Sequence, residues 1–229
     1  MENIKVIGFD ADDTLWENEM LFRNTEKEFC NLLSEYEVEH LINQQLLARE
    51  IDNLPTYGYG IKGFTLSMIE TALTVTGGTV APVVIEKIIE LGRKMLAAPV
   101  TLIDQVPETL TELSARYRLI VVTKGDLLEQ QRKLTKSGLM EHFHHIEVLS
   151  DKTPTQYKRL LQHLDISPES FVMVGNSLKS DILPPLHIGC QAVHIPFHTT
   201  WVHEQVSDKE KADHQYVELN RINELLTLL

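Results

Sequence analysis

Only two cysteines, Cys30 and Cys190, stand in the 229 residues, far apart and in no metal-ligand spacing. So sparse a use excludes a disulfide-stapled scaffold and a thiolate metal knot, and fits a reducing compartment. No apolar run approaches the ~20 residues that span a bilayer. The opening MENIKVIGFDADDT also lacks the long apolar stretch of a secretory leader. The expectation is a cytoplasmic protein without a membrane partner. Positive charge is scarce too: 21 Lys plus Arg stand against 33 Asp plus Glu, a formal charge of −12. A diffuse negative field releases no counterions from nucleic acid, so no nucleic-acid partner is expected. A small anionic substrate remains open, because one metal ion and one lysine reverse the field locally. Repeats and low-complexity tracts are absent.

What is present is ordinary globular material, 43% hydrophobic and 24% charged, in a chain long enough to bury a core. Short apolar runs recur at 4–9 (IKVIGF), 119–123 (LIVVT), 146–149 (IEVL), 171–174 (FVMV) and 191–195 (QAVHI). Their brevity and near-continuous apolarity read as strands buried on both faces of a parallel sheet. Helical patterns separate the later runs. Residues 126–137 carry Leu127, Leu128, Gln131 and Leu134 ahead of a stopping Gly138; residues 153–164 open with Thr153 at an N-cap and Pro154 at the first helical position. Strands alternating with helices imply an α/β fold, a doubly wound, Rossmann-like parallel sheet.

The gap between the first two strands exceeds one hundred residues. It holds at least three amphipathic patterns, among them Phe22, Phe29, Leu32, Leu33 and Tyr36, and Ile85, Ile88, Ile89, Gly92, Met95 and Leu96. That is too much for a crossover. The expected division is a core of 1–16 and 99–229 with a helical insertion at 17–98, the chain returning to the core through Pro99–Pro107. In the middle of the insertion, 54–64 (LPTYGYGIKGF) reads as a loop rich in glycine and aromatics.

The polar residues at the strand ends form a set. Asp10, Asp12 and Asp13 follow the first run directly; in extended chain Asp10 and Asp12 point the same way, toward the sheet edge where ligands of such folds bind. Turn formation and helix capping are the other use of such a cluster. Thr123, Lys124 and Gly125 end the second run, where a hydroxyl and exposed N–H groups suit a phosphate oxygen and equally suit a helix cap. Lys152 follows the third run in SDKTP. Gly175, Asn176, Ser177 and Asp181 follow the fourth in VGNSLKSD.

VIGFDADDTLW, LIVVTKGD, SDKTP and VGNSLKSD resemble, in order, the four sequence motifs of the haloacid dehalogenase superfamily of hydrolases, and the insertion after the first motif is similar to the cap of its helical-capped members. The resemblance covers nearly the whole chain. It implies a phosphatase acting on a small phosphorylated metabolite, with Mg²⁺ as cofactor, as a monomer or homodimer. Asp10 would be the nucleophile and Asp12 the general acid/base. Thr123, Lys124, Gly125 and Lys152 would bind phosphate, and Asp10, Asp12, Asn176 and Asp181 would hold the metal. Two positions depart from the pattern: Asn176 stands where an aspartate is usual, and Lys124 where an asparagine often follows the threonine.

Phosphate monoesters resist water so strongly that covalent catalysis, a fixed cation and a positioned acid are all useful. A carbon–halogen hydrolase, a phosphomutase and a non-catalytic regulatory protein on the same core are the alternatives. Asp12 argues against the first, because a halide leaves unprotonated. Tyr57, Tyr59 and Lys62 of the 54–64 segment are the expected specificity residues. The ten histidines, including His144, His145, His198 and His203, show no metal spacing that competes with the carboxylates. Trp16 reads as packing beside the nucleophile.

Overall fold

The computed structural model describes residues 1, 3–207, 210–211 and 216–229. They fall into two compact units. The first comprises Met1–Glu19, Val100–Lys124 and Gln130–Leu229; the second comprises Met20–Pro99 together with Gly125–Glu129. In chain order, β1 (Val6–Phe9) is followed by helices α1 (Glu19–Leu33), α2 (Glu39–Tyr57), α3 (Ile61–Val75), α4 (Pro82–Ala97) and α5 (Val106–Ser114). Then come β2 (Arg118–Lys124), α6 (Leu127–Ser137), β3 (His145–Leu149), α7 (Pro154–Leu164), β4 (Phe171–Gly175), β5 (Gln191–His194) and β6 (Val217–Glu218).

The first unit is built on a six-stranded, all-parallel sheet in the order β3-β2-β1-β4-β5-β6, the doubly wound α/β arrangement. Its strands alternate in what they bury. Ile7, Phe9, Leu119, Val121, Val172 and Val174 pack with Val106, Leu110 and Leu113 of α5. Val6, Ile120, Val122, Phe171 and Met173 pack with Tyr157, Leu160, Leu161 and Leu164 of α7. Both faces are covered, which is why each strand reads as a continuous apolar run rather than an alternating one. Thr153 caps α7 by accepting from the Gln156 N–H at 3.3 Å, and α6 stops before Gly138 at φ 74°. The two-residue β6 is too short to leave a pattern in the sequence.

Helix α6 inverts the usual rule. Leu127 and Leu128 are exposed, whereas Glu129 and Gln130 are buried; Leu134 alone of its leucines enters the core. The second unit has its own core, drawn from α1–α4 through Phe29, Leu33, Ile42, Leu46, Phe64, Met68, Ile88, Leu91 and Met95. The segment 54–64 is not the loop its composition suggests. Helix α2 continues through Tyr57 and α3 begins at Ile61, leaving Gly58–Gly60 as the turn. Gly58 and Gly60 take φ of 71° and 110°, values closed to most side chains, and two helices can therefore meet across three residues. Among the described residues, no helix is long and apolar enough to cross a membrane.

Candidate active site

Asp10 follows the last residue of β1, and its N–H donates to Val174 O at 2.8 Å. With β2 on one side of β1 and β4 on the other, this is the point where strand order reverses, the crevice in which open α/β sheets bind ligands. The next residues divide the acidic cluster by role. Asp13, at φ 62°, turns the chain, and its carboxylate accepts from the Asn18 and Glu19 N–H groups at 2.8–3.1 Å, capping the start of α1. Burial lifts Asp13 to about 6 against the pull of those two hydrogen bonds. Of the three aspartates, Asp13 is thus the one that caps α1.

Asp10 is buried, and Lys152 Nζ, 1% exposed as a side chain, sits on its Oδ1. The same ammonium is 2.6 Å from Asp181 Oδ1, and Asp181 Oδ2 accepts from the Ser177 N–H at 3.0 Å. One cation therefore serves two buried carboxylates. Burial and the neighbouring Asp181 push Asp10 up to about 7, outweighing Lys152; the two carboxylates in turn raise Lys152 above its ordinary value despite burial. Gly175 makes this geometry possible: a Cβ there would stand 2.4 Å from the Asp181 carboxyl carbon. The hydroxyl of Thr14 lies between Asp10 Oδ2 at 3.4 Å and Asn176 Oδ1 at 3.2 Å.

Asp12 is held by different partners. Trp16 Nε1 and Lys133 Nζ each donate to Oδ1 at 2.7 Å, and Gln130 Nε2 donates to Oδ2 at 2.8 Å. Burial would raise Asp12, but Lys133 and these hydrogen bonds together hold it below the usual carboxylate range. Gln130 Nε2 also reaches Thr123 Oγ1 at 3.1 Å and Lys124 O at 2.7 Å, so one amide ties the end of β2 to Asp12. Gln130, Lys133, Thr14 and the Trp16 N–H were not singled out from the sequence. The signal available was the i, i+3 spacing of Gln130 and Lys133 on one face of α6.

The remaining candidates lie as follows. Thr123 is buried at the end of β2. Lys124 sends its ammonium not to Asp10 but to Glu204 Oε1 at 2.6 Å and Ser180 Oγ at 2.9 Å. Gly125, φ 123°, opens the segment that groups with the second unit. Within that unit Tyr57 donates to Glu70 Oε1 at 2.8 Å, Lys62 pairs with Asp126 at 2.9 Å, and Tyr59 lies half-buried in the turn. Among the described residues, no three His, Cys, Asp or Glu side chains converge as a ready metal cluster. Lys152 stands between the two acidic groups that would begin one.

The model of a family described as haloacid dehalogenase-like hydrolases matches residues 4–188. A crystal structure of a haloacid dehalogenase-like family hydrolase from Xanthomonas campestris superposes with a TM-score of 0.82 at 41% identity, covering 92% of this chain and 88% of that one. The human N-acylneuraminate-9-phosphatase is 25% identical over 89% of this chain and 84% of its own length. The glyceraldehyde 3-phosphate phosphatase of Pyrococcus furiosus is likewise 25% identical, over 99% and 94%.

Proposed function

We propose that this chain, which belongs to the haloacid dehalogenase-like hydrolase family, hydrolyses the monoester of a small phosphorylated metabolite through a phosphate carried covalently on Asp10. The observation that carries the reading is the buried Asp10 carboxylate at the strand-order switch, held by an ammonium that it shares with Asp181. The phosphatase relatives at 25% identity support the same reaction class. The expected core and helical insertion, divided at 16/17 and 98/99, are proposed here as the catalytic and cap parts of the enzyme.

Lys152 fixes one oxygen of Asp10, leaving Oδ2 to attack phosphorus in line with the departing ester oxygen. The Thr123 hydroxyl, the N–H groups of Lys124 and Gly125, and Lys152 are the proposed holders of the equatorial phosphoryl oxygens. Asp12 stands in the ionised form that accepts a proton from the hydrolytic water. An arriving phosphate dianion raises its proton affinity, which allows it first to protonate the leaving oxygen. Lys133, Gln130 and Trp16 keep its carboxylate in place through both steps.

Mg²⁺ is the proposed cofactor, and the residues fit it. Two buried carboxylates around one ammonium leave an excess negative charge, and the raised Asp10 reports the same imbalance. The donors are all oxygens, which suits a hard cation. Asp10, Asn176 and Asp181 would hold the ion, Asn176 standing beside the Thr14 hydroxyl at 3.2 Å. Both side-chain oxygens of Asp12 already accept hydrogen bonds, so any contribution from that residue falls to its backbone. When bound, the ion supplies charge neutralisation between the nucleophile and the incoming phosphoryl group.

The test is a panel of phosphorylated sugars, nucleoside monophosphates and small phosphorylated acids, assayed for phosphate release with Mg²⁺ and with excess chelator. Mg²⁺-dependent release from at least one ester is expected. Full activity in chelator would remove the cofactor assignment. Halide release from a 2-haloacid without any phosphatase activity would overturn the reaction class.

A further inference from the structure

The stretch after β5, IPFHTTWVHE, has no part in the chemistry above, yet its last residue is among the most heavily bonded carboxylates of the first unit. Ile195 N–H is fixed to Gly175 O at 2.9 Å, and the chain then forms a single 3₁₀ turn, Val202–Glu204. Glu204 Oε1 takes the Lys124 ammonium at 2.6 Å. Its Oε2 takes the hydroxyls of Ser177 at 2.5 Å and Ser180 at 2.6 Å. Lys179 Nζ secures the turn by donating to His203 O at 2.6 Å. Burial works against the Glu204 charge, but Lys124 and the two hydroxyls outweigh it and hold the carboxyl at about 2. It is therefore ionised at any working pH.

Two lysines thus reach the same five-residue helical turn, Leu178–Ile182, by different routes. Lys152 meets it at Asp181 and continues to Asp10; Lys124 meets it at Ser180, one residue away, and stops at Glu204. Lys124 follows Thr123 at the end of β2, so its side chain starts next to a site meant for a phosphoryl group. Free to turn, it would bind that group before, during and after transfer alike. Such uniform binding lowers KM and retains product without lowering the barrier. A lysine after the threonine is also one of the two places where this chain departs from the motif pattern of its family.

We infer that Glu204 is a positioning residue that holds the Lys124 ammonium away from the phosphoryl pocket, and so sets how tightly inorganic phosphate, the product, is bound. The inference rests on the phosphatase reading above. It assigns the loop after β5 a role in product release, acting through Lys124 rather than by touching substrate. A second consequence is local: with Glu204 in place, Lys152 is the one of these two lysines that faces the nucleophile.

The experiment measures phosphate binding directly by titration calorimetry, in Mg²⁺ buffer, for wild type, Glu204→Gln, Lys124→Met and the double variant, alongside thermal melts. Glu204→Gln is expected to bind phosphate about tenfold more tightly, the scale of one added charge-assisted contact. Adding Lys124→Met should return the affinity to the wild-type value while leaving the melting temperature lowered. A latch with a purely structural role predicts lower melting temperatures with unchanged phosphate affinity. That result, or tight binding that persists in the double variant, overturns the inference. Wild-type protein that binds phosphate but hydrolyses no ester would refute the phosphatase reading, and the Glu204 comparison would still decide this one. Wild-type protein that binds no phosphate would refute both.

Discussion

Replacing Lys152 by methionine keeps most of the side-chain volume and deletes the charge that Asp10 and Asp181 share. Both carboxylates are buried, Asp10 at 6% and Asp181 at 1% exposed, and water cannot replace the missing ammonium. Removing one partner of a buried pair costs roughly 3–5 kcal/mol, most of it the penalty of the charge left behind. Here two charges are left, so the upper part of that range applies at pH 8. For a chain of this size each kcal/mol moves a melting temperature by about 2–4 °C, so a cost of about 4–5 kcal/mol predicts a fall of about 8–20 °C in the transition of the first unit. The deficit should depend on pH. Lys152 is the group that pulls Asp10 down; without it the Asp10 carboxyl keeps its proton still more readily relative to the unfolded chain, so the variant gains more stability than wild type as pH falls. The gap between the two proteins should therefore be widest at pH 8 and shrink by pH 5. Differential scanning calorimetry at the two pH values provides the measurement. A gap that is equal at both would show that the loss is one of packing, and the charge argument would fail.

Asp10→Asn should lower turnover by at least about a thousandfold, because the amide cannot attack phosphorus. Since the folded Asp10 carboxyl sits at about 7, above its unfolded value of 3.8, its contribution to stability is fully present below the unfolded value and is lost as pH rises from there through 7; thermal melts should accordingly show the asparagine variant gaining more on wild type at pH 8 than at pH 5. Asp12→Asn should damage hydrolysis of alkyl phosphates far more than that of activated aryl phosphates, whose leaving groups need no proton, and equal losses in kcat/KM on both would count against its acid role. Gly175→Ala should lower stability by about 1–3 kcal/mol in denaturant titrations, because the added Cβ meets the Asp181 carboxyl at 2.4 Å. An unchanged midpoint would mean that the Asp181 turn yields more easily than its two hydrogen bonds imply.

The sheet was legible because each central strand is buried on both faces. Apolar runs such as FVMV have few other uses, and the glycine and proline signals bounding α6 and α7 act locally. Asp10, Thr123 and Lys152 drew notice because they close or closely follow apolar runs, and Asp181 through the resemblance of its motif. What escaped depends on tertiary contact. Glu204 finds Lys124 across eighty positions of chain, and no pattern near either residue announces it. Helix α6 misled in a more instructive way: its leucines suggested an apolar face, whereas the buried face carries Glu129 and Gln130. Gln130 spends its amide on Asp12 and the end of β2, and Glu129 accepts from the Ile61 N–H at 3.0 Å, so local apolar patterning gives way to polar contact. The 54–64 segment failed for the opposite reason. Its glycines cluster densely enough to suggest a loop, yet Gly63 lies inside α3, where a Cβ would stand 2.8 Å from Gly58 O.

The position of β1 in the sheet also bears on how the protein is made. β1 precedes every other described element in the chain, yet its partners begin at Arg118 on one side and at Phe171 on the other. Nearly all of the second unit, Met20–Pro99, is an unbroken stretch of helices whose contacts are local, and such stretches fold fast. Asp10 thus waits through the synthesis of at least 108 further residues for its strand partners, while the helices of the second unit can already pack among themselves. Domains generally fold as units while the chain is still emerging. Asp10, Lys152 and Asp181 can come together only once the last third of the chain has been synthesised, so a ribosome-bound fragment ending before residue 171 would carry a folded helical unit and no assembled site.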